Sequence, residues 1–151
     1  KARPWLMDEK PNSQEDFNGK LKALIALKAS PEKINNLRKD IIKRQREDGG
    51  WAQLSEMESD AYATGQTLYT LLTETPKPDR DITFNESVIK ARSYLLKNQK
   101  DDGSWLVKTR SKPIQKFFDN GDPHGKNQFI SISATSWATA ALAKFHSIKD
   151  L

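Results

Sequence analysis

Gln45-Arg46-Glu47-Asp48-Gly49-Gly50-Trp51 and Gln99-Lys100-Asp101-Asp102-Gly103-Ser104-Trp105 are near copies of one another, with their tryptophans 54 positions apart. The order of residues has a physical reading. A helix ends in carbonyls without intrahelical partners, and the next begins in amides without them. A glutamine amide both donates and accepts, so at a helix end it can serve either kind of group. Asp-Gly permits the left-handed turn by which the chain leaves the helix. The tryptophan that follows supplies a large apolar face and one ring N–H donor. The stretch reads as a clasp between successive helices, with Gln45, Asp48, Gly49 and Trp51 repeated as Gln99, Asp102, Gly103 and Trp105. Its recurrence marks an internal repeat.

Five helical segments fit around the clasps, each with apolar residues three and four positions apart. The first runs from about Glu15 to Lys28, where Ser13 and Asp16 form a capping box and Phe17, Leu21, Leu24 and Ile25 a stripe. The second, Pro31 to Arg46, has Ser30 as N-cap, proline at its first position, and Ile34, Leu37, Ile41 and Ile42 on one face. The short link between them predicts an antiparallel hairpin. The third runs from Asp60 to about Thr73 and must stop before Pro76. The fourth opens on Thr83 and Glu86 as a capping box and ends near Asn98; the fifth is the Ala-rich SATSWATAALAKF, Ser133 to Phe145. YATGQTLYTLL in the third answers SATSWATAALA in the fifth, Ala63 matching Ala134 at a spacing of 71. The second copy therefore carries an insertion between Trp105 and its helix, which includes FFDNGDPHGKNQFIS. No β-branched run alternates for more than a few residues, so no strand is predicted.

At 151 residues the chain is read as one domain, 1–151, with an irregular arm over 1–14, a proline-punctuated linker over 76–82 and an inserted loop over 106–130. The apolar fraction is 36%, low for an independent core, and the first residue is Lys1; a piece of a longer protein is expected. The 25 Lys and Arg against 20 Asp and Glu are scattered, which argues against nucleic acid as a partner. Without cysteine there is neither a disulfide nor a thiolate ligand or nucleophile, and no stretch is apolar enough to predict a transmembrane segment. Localisation is left open.

The pattern Gln-x-x-Asp-Gly-x-Trp resembles the QW repeat of squalene-hopene and oxidosqualene cyclases. SDAYATGQTLYTLL, from Ser59 to Leu72, resembles the helix that follows such repeats there and in the prenyltransferase β-subunit relatives. PIQKFFDNGDPHGKNQFISISATSWATAALA resembles a bacterial group of squalene-cyclase-like repeat proteins. The resemblance covers roughly Ser30 to Phe145. It implies an all-α fold, a partial α/α toroid of antiparallel helix hairpins, with the second and fourth helices outside and the first, third and fifth inside. It also implies an isoprenoid-like small molecule as a ligand.

The acid that such cyclases use, Asp-x-Asp-Asp, has no counterpart; the nearest are Glu58-Ser59-Asp60 and Asp79-Arg80-Asp81, read as a helix start and a solvated linker. The zinc set of the prenyltransferase relatives fails for want of cysteine. No catalytic residue, metal or cofactor is assigned. No Ser-His-Asp arrangement, phosphate loop or H-E-x-x-H is evident. The candidate ligand-binding residues are Asp119, Asp122, His124 and Gln128 in the insertion, with Tyr69 and Trp137 on the inner helices. The insertion is alternatively a structural turn, and the aromatic residues Tyr62, Tyr69, Phe117, Phe118, Phe129 and Trp137 alternatively core. The expected function is a non-catalytic or accessory toroid repeat domain holding a ligand at its inner face. The alternatives are the C-terminal part of a true cyclase and a protein-binding scaffold. Because repeats bury a continuous core only by stacking, further repeats of a parent chain or a self-associated copy are expected as partners.

Overall fold

A computed structural model describes residues 2–75, 82–112 and 118–148. Among these the chain forms six α-helices: α1 (Ala2–Asp8), α2 (Gln14–Ala26), α3 (Pro31–Lys43), α4 (Ala61–Glu74), α5 (Ile82–Asn98) and α6 (Gln128–His146). The starts have local causes. Ser13 Oγ accepts from the Asp16 amide while Asp16 Oδ2 accepts from the Ser13 amide, which closes the capping box of α2. Ser30 caps α3 with Pro31 at its first position, and Asp60 Oδ1 accepts from the Ala63 amide at 2.8 Å to start α4.

α4 is the axis of the packing, with α2 on one side, α6 on the other and α5 behind it; α3 returns along α2 as the expected hairpin. From Ala61 to Leu72 every residue of α4 is buried except Tyr62 and Tyr69. Close approach of α4 to α6 depends on Gly65, where a Cβ would stand 2.6 Å from the backbone nitrogen of Ala138. The result is an arc of an α/α toroid, with α2, α4 and α6 side by side as inner helices and α3 and α5 as outer ones.

The two clasps are built alike. Trp51 and Trp105 are buried, and their ring nitrogens donate to the carbonyls of Ile41 and Leu95, each ten residues back and each 2.8 Å away. Their backbone amides donate forward to Thr64 Oγ1 of α4 and Thr135 Oγ1 of α6, two threonines 71 positions apart. Each tryptophan thus ties the end of an outer helix to the N-terminal half of the next inner one. Gln45 and Gln99 donate to the Gly49 and Gly103 carbonyls, and Gln45 reaches further, to the Ser87 carbonyl of α5. Asp48 and Asp102 accept from the backbone amides of Gly50 and Ser104. Gly49 and Gly103 have φ of 88° and 84°, as the turn demands.

Three boundaries differ from the expectations. Residues 1–14 include α1, whose Met7 packs against the core, so the arm is helical over Ala2–Asp8. α5 already includes Ile82, so Thr83 lies inside the helix and not at its cap. α6 starts at Gln128, after a turn of 3₁₀ helix at Gly125–Asn127, because Gln128 and Ser131 find buried polar partners there; the loop is correspondingly shorter than 106–130. Residues 76–81 of the expected linker lie outside the described residues.

Candidate functional site

The N-terminal ends of α2, α4 and α6 come together. Between them and the segment 109–111 lies an open cleft of about 340 Å³, lined by Glu15, Gln53, Tyr62, Thr109, Arg110, Ser111, Phe129, Ile130 and Ser133. Tyr62 donates its hydroxyl to Glu15 Oε1 at 3.3 Å. Burial first, and then the negative charge of Glu15, raise the Tyr62 pKa, so the phenol stays a neutral donor. The positive charge of Arg110, which lines the cleft, makes a small contribution in favour of the charged forms of Asp16, Asp60 and Tyr62. Phe129, 59% exposed, offers its ring on the α6 side. The cleft therefore presents a carboxylate, a guanidinium, a phenol, several hydroxyls and an open aromatic face.

Asp60 stands just behind this cleft. Burial raises its pKa, while hydrogen bonds from the Ala63 backbone and the Gln53 side chain act the other way. Its Oδ1 caps α4 and its Oδ2 accepts from Gln53 Nε2 at 2.9 Å, so both oxygens are spent on structure.

A polar chain that sequence patterning missed runs beneath. Arg44 Nε donates to Gln14 Oε1, Gln14 contacts Asn18, and Asn18 Nδ2 donates to Gln66 Oε1 and Thr67 Oγ1, each at 3.0 Å. Gln14, Asn18, Gln66 and Thr67 are all buried. The one signal in the sequence was polar residues at positions of α2 and α4 that neighbour the apolar stripe, which periodicity alone assigns to solvent.

The residues singled out in the insertion serve its own backbone. Asp119, Asn120 and Asp122 each accept from the amide two residues on, at 2.9, 3.1 and 2.9 Å. Gln128 is fully buried; its Oε1 accepts from the Asn120 amide and its Nε2 donates to the Phe118 carbonyl, so both ends of the amide hold the loop. His124 Nε2 lies 2.8 Å from Ser104 Oγ, which is 2.6 Å from Asp102 Oδ1. That hydrogen bond, joined by the one from the Ser104 backbone, holds the Asp102 carboxyl below its usual range. Asp, Ser and His are thus brought together although no such arrangement was evident in the sequence. The carboxylate, however, contacts the serine and not the second imidazole nitrogen, which is not the order that makes a serine nucleophilic. The contact ties the insertion to the second clasp. Among the described residues no group of three or more His, Cys, Asp or Glu converges on a metal position.

Tyr69 and Trp137 do meet, ring centres 5.6 Å apart and planes tilted by 56°, with Lys22 Nζ 5.5 Å from the Trp137 ring centre. This cluster joins α2, α4 and α6 further along the inner face, apart from the insertion residues with which it was grouped. Phe117 lies outside the described residues, and Phe118 is 73% exposed.

No described helix is long and apolar enough to cross a membrane. No model of a known family matches the chain, and no curated protein matches it. Among solved structures, it is similar to a possible member of the GH105 family from Salmonella enterica, with a TM-score of 0.54 and 18% identity over 87% of this chain. The chain spans 37% of that protein's length. The likeness is of fold. It overturns the resemblance to squalene-hopene cyclases and their prenyltransferase relatives: the match is to a protein described by the GH105 family, and the Gln-Asp-Gly-Trp stretch is spent on helix ends, a task any α/α repeat faces. What stands is an all-helical arc of an α/α toroid.

Proposed function

We propose that the chain is a non-catalytic, ligand-binding arc of an α/α toroid, and that its ligand is a polar, hydroxyl-rich molecule of the saccharide class held at the N-terminal ends of α2, α4 and α6. The observation that carries the reading is the cleft itself. Glu15 and Arg110 offer charged hydrogen-bond partners, Thr109, Ser111 and Ser133 offer hydroxyls, and the open ring of Phe129 suits the apolar face of a sugar. An isoprenoid finds little there to match it. Binding, in preference to turnover, is supported by how the carboxylates are used: the commonest route of glycoside hydrolysis sets two carboxyls on one bond, whereas Glu15 lines the cleft and Asp60 spends both oxygens on the α4 cap and Gln53. The GH105 description of a protein with a similar fold agrees with a saccharide but adds no residue-level support.

Titration of the ¹⁵N-labelled chain with neutral and uronic-acid disaccharides tests this. Shifts confined to resonances around Tyr62, Arg110 and Phe129, with binding weakened at least tenfold in Arg110→Ala and Tyr62→Phe, are expected. If millimolar disaccharide of either kind moves nothing in the cleft, the reading fails.

A further inference from the structure

The three inner helices share one register, and it leaves a matched pair of faces uncovered. On α4, Gly65 faces α6, as its contact with the Ala138 backbone shows, and Ala61, Leu68 and Leu72 lie on the same side; all four are buried. The face of α4 turned to α2 carries Thr67, which receives the Asn18 hydrogen bond, with Ala63 and Thr70 one turn to either side. At a spacing of 71, α6 repeats both. Ala134, Ala138 and Ala141 answer Ala63, Thr67 and Thr70 and are buried against α4. Ile132, Ser136, Thr139 and Ala143 answer Ala61, Gly65, Leu68 and Leu72, yet all four are exposed, Ile132 by 41%. The Ser136 hydroxyl already donates to the Ile132 carbonyl, so covering this face leaves that donor paired.

α2 fits the same scheme 44 positions ahead of α4. Leu21 and Leu24, answering Gly65 and Leu68, are buried. Gly19, Ala23 and Ala26 answer Ala63, Thr67 and Thr70 in the spacing of four and three with which α6 meets α4. Gly19 and Ala26 are exposed, Ala23 is half-buried, and a Cβ on Gly19 would meet nothing within 4 Å. One end of the arc thus carries the acceptor face of the α4–α6 joint and the other end its donor face.

We propose that a second copy of this chain docks head to tail, the Gly19-Ala23-Ala26 face of its α2 seating on the Ile132-Ser136-Thr139-Ala143 face of α6. The interface continues the α2–α4 and α4–α6 joints already present, and both halves of it lie on one chain. Such a contact is heterologous, so it propagates until a ring closes or the ends remain open.

Sedimentation equilibrium of the wild-type chain and of two variants tests the proposal. Gly19→Arg blocks the α2 face and Thr139→Arg the α6 face, and both sites are exposed helix positions where arginine is well tolerated. Wild type is expected to exceed twice the monomer mass as concentration rises. Each variant alone is expected to stay monomeric with an unchanged circular-dichroism spectrum. An equimolar mixture should form a dimer and stop there, because each variant keeps the face that the other has lost. Wild type that stays monomeric into the millimolar range, association that persists in both variants, or a mixture that does not pair overturns the proposal. In the first case the face is left to a helix of other origin.

Discussion

Gly65 shows how much can rest on a missing methyl group. Its α-carbon is held so near α6 that a Cβ would lie within 3.0 Å of three backbone atoms of Trp137 and Ala138, none of which can turn aside as a side chain would. Gly65→Ala is expected to cost about 1–3 kcal/mol through overpacking, despite alanine's better helix propensity. At Gly103 the strain is conformational, with a φ of 84° and only an ordinary contact for the missing Cβ, Gln99 Nε2 at 3.8 Å, so Gly103→Ala should cost only about 1 kcal/mol. Urea denaturation of the two variants checks the order. Trp51→Phe keeps most of the apolar bulk but removes the indole donor from the buried Ile41 carbonyl, which keeps only its 3.2 Å bond from the Arg44 amide; the expected loss is about 0.5–1.5 kcal/mol by the same measurement. A variant within error of wild type would show that water replaces the indole N–H.

Among the elements, α2 and α4 have starts that respond to pH, in opposite senses. Backbone and side-chain hydrogen bonds from Ser13 hold the Asp16 carboxyl below its usual 3.8. A lowered folded-state pKa stabilises the protein above the unfolded value, and this contribution is lost as pH falls below 3.8 through the folded value. Asp60 acts in the opposite sense: raised by burial, it weighs against the fold as pH climbs from 3.8 through its folded value. Asp16→Asn should therefore flatten the acid limb of stability, and Asp60→Asn should leave a steeper net fall toward low pH. Denaturation midpoints between pH 5 and pH 2.5 distinguish the two. The insertion depends on Gln128 in the same element-scale way: Gln128→Leu frees the Phe118 carbonyl and the Asn120 amide. Hydrogen exchange at Asn120 should accelerate by roughly fivefold, the measure of one lost bond of about 1 kcal/mol.

For the whole molecule the controlling fact is that α4 is covered on every side but the one carrying Tyr62 and Tyr69. α2, α5 and α6 cover it, so its burial is a property of the assembled arc. A chain ending at Asn127 would expose the Ala61-Gly65-Leu68-Leu72 face and leave the Trp105 amide without Thr135. Cooperative thermal unfolding, followed by circular dichroism, is expected to vanish. A sharp transition in that truncation would mean that α2 to α5 form a self-sufficient unit. The candidate cleft belongs to this scale as well, since Glu15, Tyr62, Arg110 and Phe129 come from four segments spread over more than a hundred residues.

The doubled Gln-Asp-Gly-Trp stretch and the spacing of apolar residues were enough to locate five of the six described helices and the antiparallel hairpin of the first two. They sufficed because capping and periodicity are local: Ser13 with Asp16, Ser30 with Pro31 and the two Asp-Gly turns act within a few residues of themselves. α1 escaped because its helix, seven residues long, has neither an acidic first turn nor a basic last turn to announce it. The site was not legible. His124, Asp122 and Asp119 looked like ligands because they crowd together in sequence, but the fold uses them as turns and as a tie to Ser104. Glu15, Tyr62, Arg110 and Phe129 gave no signal because nothing local links them. Only the side-by-side packing of α2, α4 and α6, set by Gly65 and the clasped tryptophans, brings their N-terminal ends, and with them the cleft, to one place.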